Sequence, residues 1–157
     1  MFNQFVKSIK SLFGGERIYI GHTVVLTPQR YGEYEWESVA NMLPQSRDRY
    51  LLPEYSSEPP NIFTFARLNG YKIYTAKKWE VDFWVQMLQR GPVVIGSTEV
   101  GASFVVVGSI QTKGKPENTF FDIYDPKPIG RGTYLPNVSL IQLSRQYSSY
   151  TTCFFQK

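Results

Sequence analysis

The chain has 157 residues, of which 42% are hydrophobic and 16% aromatic, enough for one domain with a sizeable core and no covalent staples. Its net charge is +4, but the 17 Lys and Arg are scattered, with no run longer than Lys77-Lys78, which excludes the clustered basic track that nucleic acids need and leaves an acidic protein partner open. One cysteine, Cys153, excludes an internal disulfide, and one histidine, His22, argues against a His/Cys metal centre.

No metal and no cofactor is therefore expected. No window approaches the roughly 18 consecutive apolar residues of a membrane span, and no secretory leader is visible. The expected location is the cytoplasm, or export without a cleavable signal.

Phe2, Phe5, Val6, Ile9 and Phe13 fall at helical spacing, with Lys7 and Lys10 between them. That pattern predicts an N-terminal helix over 2–13, ended by Gly14-Gly15 and appended over residues 1–15 to a single domain spanning 1–157. It reads as a cover for the domain, or as a basic amphipathic segment that docks on a membrane or partner. Ile18 to Leu26 is rich in β-branched residues and predicts a strand or two, closed by Thr27-Pro28. His22 lies inside it; a lone strand histidine is usually a hydrogen-bonded structural residue. Trp36, Val39, Ala40 and Leu43 form one apolar helical face over about 35–43. Glu33, Glu35 and Glu37 stand at its start, where the helix dipole favours anions.

Residues 44–60 hold four prolines and many polar side chains, and predict a long loop of functional type. Asn61 caps a second helix over 62–69, and Gly70 stops it. Tyr71 to Tyr74 predicts a short strand. Val81, Trp84, Val85 and Leu88 make the stripe of a third helix over 80–90, ended by Gly91-Pro92.

Three runs then organise the chain: Val93-Val94-Ile95-Gly96, Ser103-Phe104-Val105-Val106-Val107-Gly108 and Phe120-Phe121-Asp122-Ile123-Tyr124-Asp125. Each is bounded by Gly or Pro and reads as a strand of one sheet, with 113–118 as the turn between the last two. Residues 134–143 and 150–155 predict late strands of a meander. The expected class is α+β, with N-terminal helices packed on a mostly antiparallel C-terminal sheet.

At this point the chain resembles a papain-like cysteine peptidase domain, of the compact bacterial effector and bacteriocin-transporter types. The likeness rests on an ordered frame: Gln29, then Glu35-Trp36 opening a helix, a helix ending in Gly91-Pro92, the strand Ser103 to Gly108, and Asp125-Pro126 followed by Pro128, Gly130 and Gly132. It covers about residues 24–143 and implies roles. Gln29 takes the oxyanion position, Glu35 stands where the nucleophilic cysteine would be, Ser103 where the base histidine would be, and Asp125 is the orienting residue.

Two of those substitutions remove the chemistry. A carboxylate is a far weaker nucleophile than a thiolate toward an amide, and a serine is no base near neutral pH. The resemblance thus implies a peptidase scaffold without peptidase activity, used as a binding module. The groove flanked by Gln29, Tyr31, Tyr34, Glu35, Trp36, Ser103 and Asp125 is where a protein or peptide partner is expected. A bacterial toxin or secretion system is the implied setting, with the protein an effector, immunity or accessory component.

Two other readings stand beside this one. The first is an active hydrolase or transferase on the same cleft, built on Glu35, His22 or Asp125. The second is an interaction protein working through the N-terminal helix and the 44–60 loop. Each residue also has a plain structural role: Gln29 bonding backbone, Trp36 in the core, Asp125 capping a turn.

Overall fold

Runs of Val, Ile and Phe that alternate around Gly and Pro build the sheet, because branched and aromatic side chains pack well on a pleated surface. The computed structural model of the chain describes residues 4–6, 16–44, 62–74, 79–97, 104–147 and 152–156. Among them are eight strands: β1 (Gln4–Val6), β2 (Ile18–His22), β3 (Lys72–Tyr74), β4 (Val93–Ser97), β5 (Phe104–Thr112), β6 (Thr119–Asp125), β7 (Thr133–Ser139) and β8 (Thr152–Gln156). Four helices join them: α1 (Glu35–Met42), α2 (Ile62–Leu68), α3 (Val81–Arg90) and α4 (Leu140–Tyr147). The architecture is α+β with antiparallel pairing between all neighbouring strands described.

The hub is β5. Its first residues pair with β4, Gly96 opposite Phe104, and its last pair with β2, Ile18 opposite Thr112. β6 pairs along nearly the whole of β5, so β4 and β2 must share the opposite edge. From β4 the sheet continues through β8 to β3, from β2 to β1, and from β6 to β7.

Alternation along the strands divides the core between two faces. On one face Ile18, Ile20, Val93, Ile95, Val105, Val107, Ile110, Phe121 and Ile123 pack against α3 and α4. Trp84 of α3 is fully buried there, 4.9 Å from the Phe121 ring and 5.7 Å from Trp79. On the other face Val94, Phe104 and Val106 pack against α1 and α2, through Val39, Ala40, Met42, Leu43, Ile62, Phe65 and Ala66.

The sequence reading needs four corrections. The N-terminal helix over 2–13 is not what residues 4–6 form. They are β1, paired with β2 in the register Gln4 opposite His22. β2 offers an unpaired edge on that side, and edge pairing satisfies backbone groups that a helical pattern of side chains does not weigh; the rest of 2–13 lies outside the described residues.

The strand over 18–26 stops at His22, and Val24 and Leu26 pack as irregular chain against the second face. The strand over 134–143 ends at Ser139, and α4 follows. Leu140, Leu143 and Tyr147 are the buried stripe of that helix, and the Ser139 hydroxyl accepts the Gln142 backbone N–H at 3.0 Å. Ser139 three residues before Gln142 is a capping-box pattern, a signal already present in the sequence. Finally, the sheet is not confined to the C-terminal half. β1, β2 and β3 come from the first half, and helices cover both faces. The long 44–60 loop and the Asn61 cap lie outside the described residues, apart from Pro44.

Candidate functional site

Glu35 opens α1. Tyr34, the residue before it, has extended backbone and makes no side-chain cap, so the acidic first turn of Glu35 and Glu37 faces the positive end of the helix dipole directly. The Glu35 side chain turns onto the sheet. Its Oε1 accepts the backbone N–H of Phe104, at the start of β5, at 3.0 Å. Its Oε2 is 3.1 Å from Lys127 Nζ, in the loop after β6. One carboxylate thus joins the first residue of α1, the hub strand and the β6–β7 loop, and its side chain is only 12% exposed.

Phe104 reaches this position because Gly96 lies opposite it. A Cβ at Gly96 would collide with the Phe104 ring, so glycine lets the ring lie across β4. From the other side Phe63 of α2 meets the same ring edge-on at 6.1 Å.

Asp125 ends β6 and turns the chain at Pro126; its Oδ1 accepts the Lys127 backbone N–H at 2.9 Å. Burial pushes its carboxyl above the usual range. The Lys127 N–H pulls it back, and Glu35, acting through space, pushes it up again. The Tyr147 hydroxyl, on α4, is likewise raised by burial first and then by Asp125 and Glu35. Two carboxylates, a lysine and a buried tyrosine therefore share one field.

Gln29 is pinned beside this loop. Its N–H donates to the Pro126 carbonyl at 2.9 Å, and its carbonyl accepts the Gly130 N–H at 2.7 Å. Its Nε2 donates to the Glu33 carbonyl at 2.8 Å, while its Oε1 is buried with no hydrogen-bond partner. Gly130 and Gly132 have φ of 83° and 68°, left-handed values that glycine adopts most readily, and they let the loop close on Gln29. Ser38 of α1 ties the same segment from below, its hydroxyl donating to the Pro28 carbonyl at 3.3 Å.

Trp36 is half-buried, 6.3 Å from the Phe65 ring, and its indole N–H is buried with no acceptor. Tyr31 and Tyr34 stand outside, 94% and 66% exposed. Ser103 lies outside the described residues; the backbone N–H of its neighbour Phe104 bonds Glu35.

His22 is elsewhere. On β2 it follows Ile18 and Ile20 on the face covered by α3, and its Nε2 donates to the Leu88 carbonyl in the last turn of that helix. Burial lowers its pKa, partly offset by that bond. Glu35 belongs to the helix on the opposite face, so the sheet lies between the two.

The structure brings together Gln29, Glu35 and Asp125, and sets His22 apart. Sequence reasoning missed Lys127, Tyr147 and the Phe104 N–H. A backbone donor and a single loop lysine leave no pattern to read, and Tyr147 was hidden with α4. Among the described residues no group of three or more His, Cys, Asp and Glu is placed to hold a metal ion, and no helix is long and apolar enough to cross a membrane. No family model matches this chain, and neither a curated protein nor a solved structure matches it.

Proposed function

We propose that the mouth between α1, the start of β5 and the loop after β6 is a protein- or peptide-binding groove on a papain-like scaffold that has lost its catalytic pair. The observation that carries this reading is the engagement of Glu35. Where a thiol would attack, a carboxylate accepts the Phe104 N–H and pairs with Lys127, a bracing role for the side chain. The sole histidine of the chain bonds Leu88 across the sheet and is in no position to serve as its base. The exposed rings of Tyr31 and Tyr34 suit recognition, since tyrosines contribute large contact area at low entropy cost. The setting consistent with the effector resemblance is a bacterial toxin or secretion system, with the protein acting by binding.

A peptide array followed by titration calorimetry tests the idea. Binding weakened at least about tenfold by Tyr34→Ala, with no turnover of peptide or ester substrates, is the expected result. Turnover that disappears in Glu35→Ala would defeat it.

A second reading has one observation in its favour: the raised carboxyl of Asp125 facing Glu35. A carboxyl that keeps its proton beside one that is ionised can supply acid and base to one reaction. That enzyme would show a bell-shaped rate against pH, abolished by both Glu35→Gln and Asp125→Asn.

A further inference from the structure

Three tyrosines and an aspartate meet on the sheet face that α1 and α2 cover in part. Tyr19 and Gly21 alternate along β2 with Ile18 and Ile20, so they point away from the α3 and α4 core. Asp122 alternates with Phe121 and Ile123 in the same way, and Tyr124 packs at the margin of the α1 and α2 cluster. Two glycines let two of the rings lie down on the sheet. A Cβ at Gly21 would collide with the end of the Tyr19 ring, and a Cβ at Gly108 would come within 2.7 Å of the Tyr124 ring. Gly21, Ser109 and Asp122 are register partners across β2, β5 and β6, so the Tyr19 ring reaches into the row that holds Asp122. Tyr134 of β7 stands opposite Tyr124, with ring centroids 5.1 Å apart and planes tilted by 38°. Tyr19, Asp122 and Tyr124 are half-buried and Tyr134 is 46% exposed, which leaves ring surface open to solvent.

We propose that Tyr19, Asp122, Tyr124 and Tyr134 form a binding site for a small organic cation, a quaternary ammonium, built from other residues than the groove above. The face of a tyrosine ring is negative, and a cation held over it is attracted. Asp122 adds a full charge: burial raises the Tyr124 and Tyr134 hydroxyls first, and the Asp122 carboxylate, acting through space on both, comes next. β2, β5, β6 and β7 themselves carry no lysine or arginine. Arg17, Arg30, Lys113, Lys115, Lys127 and Arg131 lie in the segments beside those strands, all exposed, and Lys127 is paired with Glu35. Asp122 Oδ1 accepts the Asn137 N–H at 3.2 Å, and the Tyr134 hydroxyl bonds the same carboxylate. Asn137 makes that bond from a bulge, with φ of 56°, where β7 holds one residue more than β6. The carboxylate thus offers a ligand charge more than free acceptors, and the ring faces offer no lone pairs. A lysine ammonium carries three donors to satisfy and is strongly hydrated, whereas a quaternary ammonium donates nothing, so it suits this set of groups.

The full chain, with isotope-labelled tyrosine rings, is titrated with choline chloride at constant ionic strength and followed by NMR. The site predicts saturable shifts of the Tyr19, Tyr124 and Tyr134 ring signals. The neutral carbon isostere of choline, with a tert-butyl group in place of the trimethylammonium, should bind at least about fivefold more weakly. Asp122→Asn keeps the acceptor for the Asn137 N–H and loses the charge, and Tyr134→Ala removes an exposed ring without touching the core. Each should weaken choline by a similar factor. Ring signals that choline does not move, an isostere that binds as well as choline, or unchanged affinity in Asp122→Asn overturns the site. Saturation of the same signals by maltose and not by choline overturns it too, and makes the tyrosines a platform for sugar rings. Tyr31, Tyr34 and Glu35 take no part in this site, so its failure leaves the groove reading standing, and a failed peptide titration leaves the cation site standing.

Discussion

Burial raises the carboxyl of Asp125 above its usual range and lowers the imidazole of His22 below its own, so the two residues tilt stability with pH in opposite directions. The unfolded chain protonates His22 as pH falls below about 6.5, while the folded chain resists, its bond to Leu88 notwithstanding. The stabilisation from His22 is therefore complete above that value and is lost as pH falls through the lowered folded pKa. Asp125 behaves in reverse. Its folded carboxyl keeps a proton that the unfolded chain releases above 3.8, so its contribution is complete below 3.8 and is lost as pH rises through the raised folded pKa.

Urea midpoints measured against pH check both signs. Asp125→Asn is expected to be more stable than wild type near neutral pH, by less than about 1 kcal/mol for a half-buried charge, and the gain disappears in acid. His22→Asn is expected to flatten the fall in stability as pH drops below about 6.5. Of these residues, Asp125 was legible because Asp-Pro after an apolar strand is a turn signal with chemistry attached. Lys127 was not, because its role depends on what lies 3.1 Å away from it across the fold.

At the level of elements, glycine-bounded runs and helical stripes were readable wherever one element makes its own case. α1, α2, α3, β4 and β6 lie within a few residues of where their patterns put them. β1 and α4 were misread for different physical reasons. β1 exists because β2 has an edge to offer, a fact about a partner 16 residues away in the pairing of Phe5 with Gly21. α4 follows β7 with no Gly or Pro between them, so a search for punctuation runs straight through the Ser139 cap.

The pairing of β4 with β5 carries the sharpest prediction at this scale. Gly96 leaves room for the Phe104 ring, and the Phe104 N–H holds Glu35. Gly96→Ala should displace that ring at a cost of about 1–3 kcal/mol and remove the Glu35 contact with it. Thermal melts read the first effect, and the Phe104 amide shift the second. An unaltered amide shift would show that ring and carboxylate are independent.

For the molecule as a whole, the decisive feature is that the described residues form one sheet with a helix pair on each face. α3 and α4 bury the larger core and take His22 with them. α1 and α2 cover the other face and bring Glu35 to the end of β5. Where the α1 layer meets the sheet end, a loop lysine, a strand backbone and a helix carboxylate from three distant parts of the chain converge. That layering is why the separate elements were readable from ordered punctuation, while the bonds that join Glu35, Phe104 and Lys127 across them were not.

The most direct measurement places a thiol at position 35 and an imidazole at position 103. In a Cys153→Ser background, Glu35→Cys is compared with Glu35→Cys/Ser103→His, and alkylation by iodoacetamide is followed against pH. If the groove descends from a thiol-peptidase site, the added imidazole faces the introduced thiol. Its ionisation then falls well below the about 8.5 of a free cysteine, with fast alkylation at neutral pH in the double variant alone. The same midpoint in both variants would mean that positions 35 and 103 do not face each other, and that the peptidase-like account of this fold is wrong.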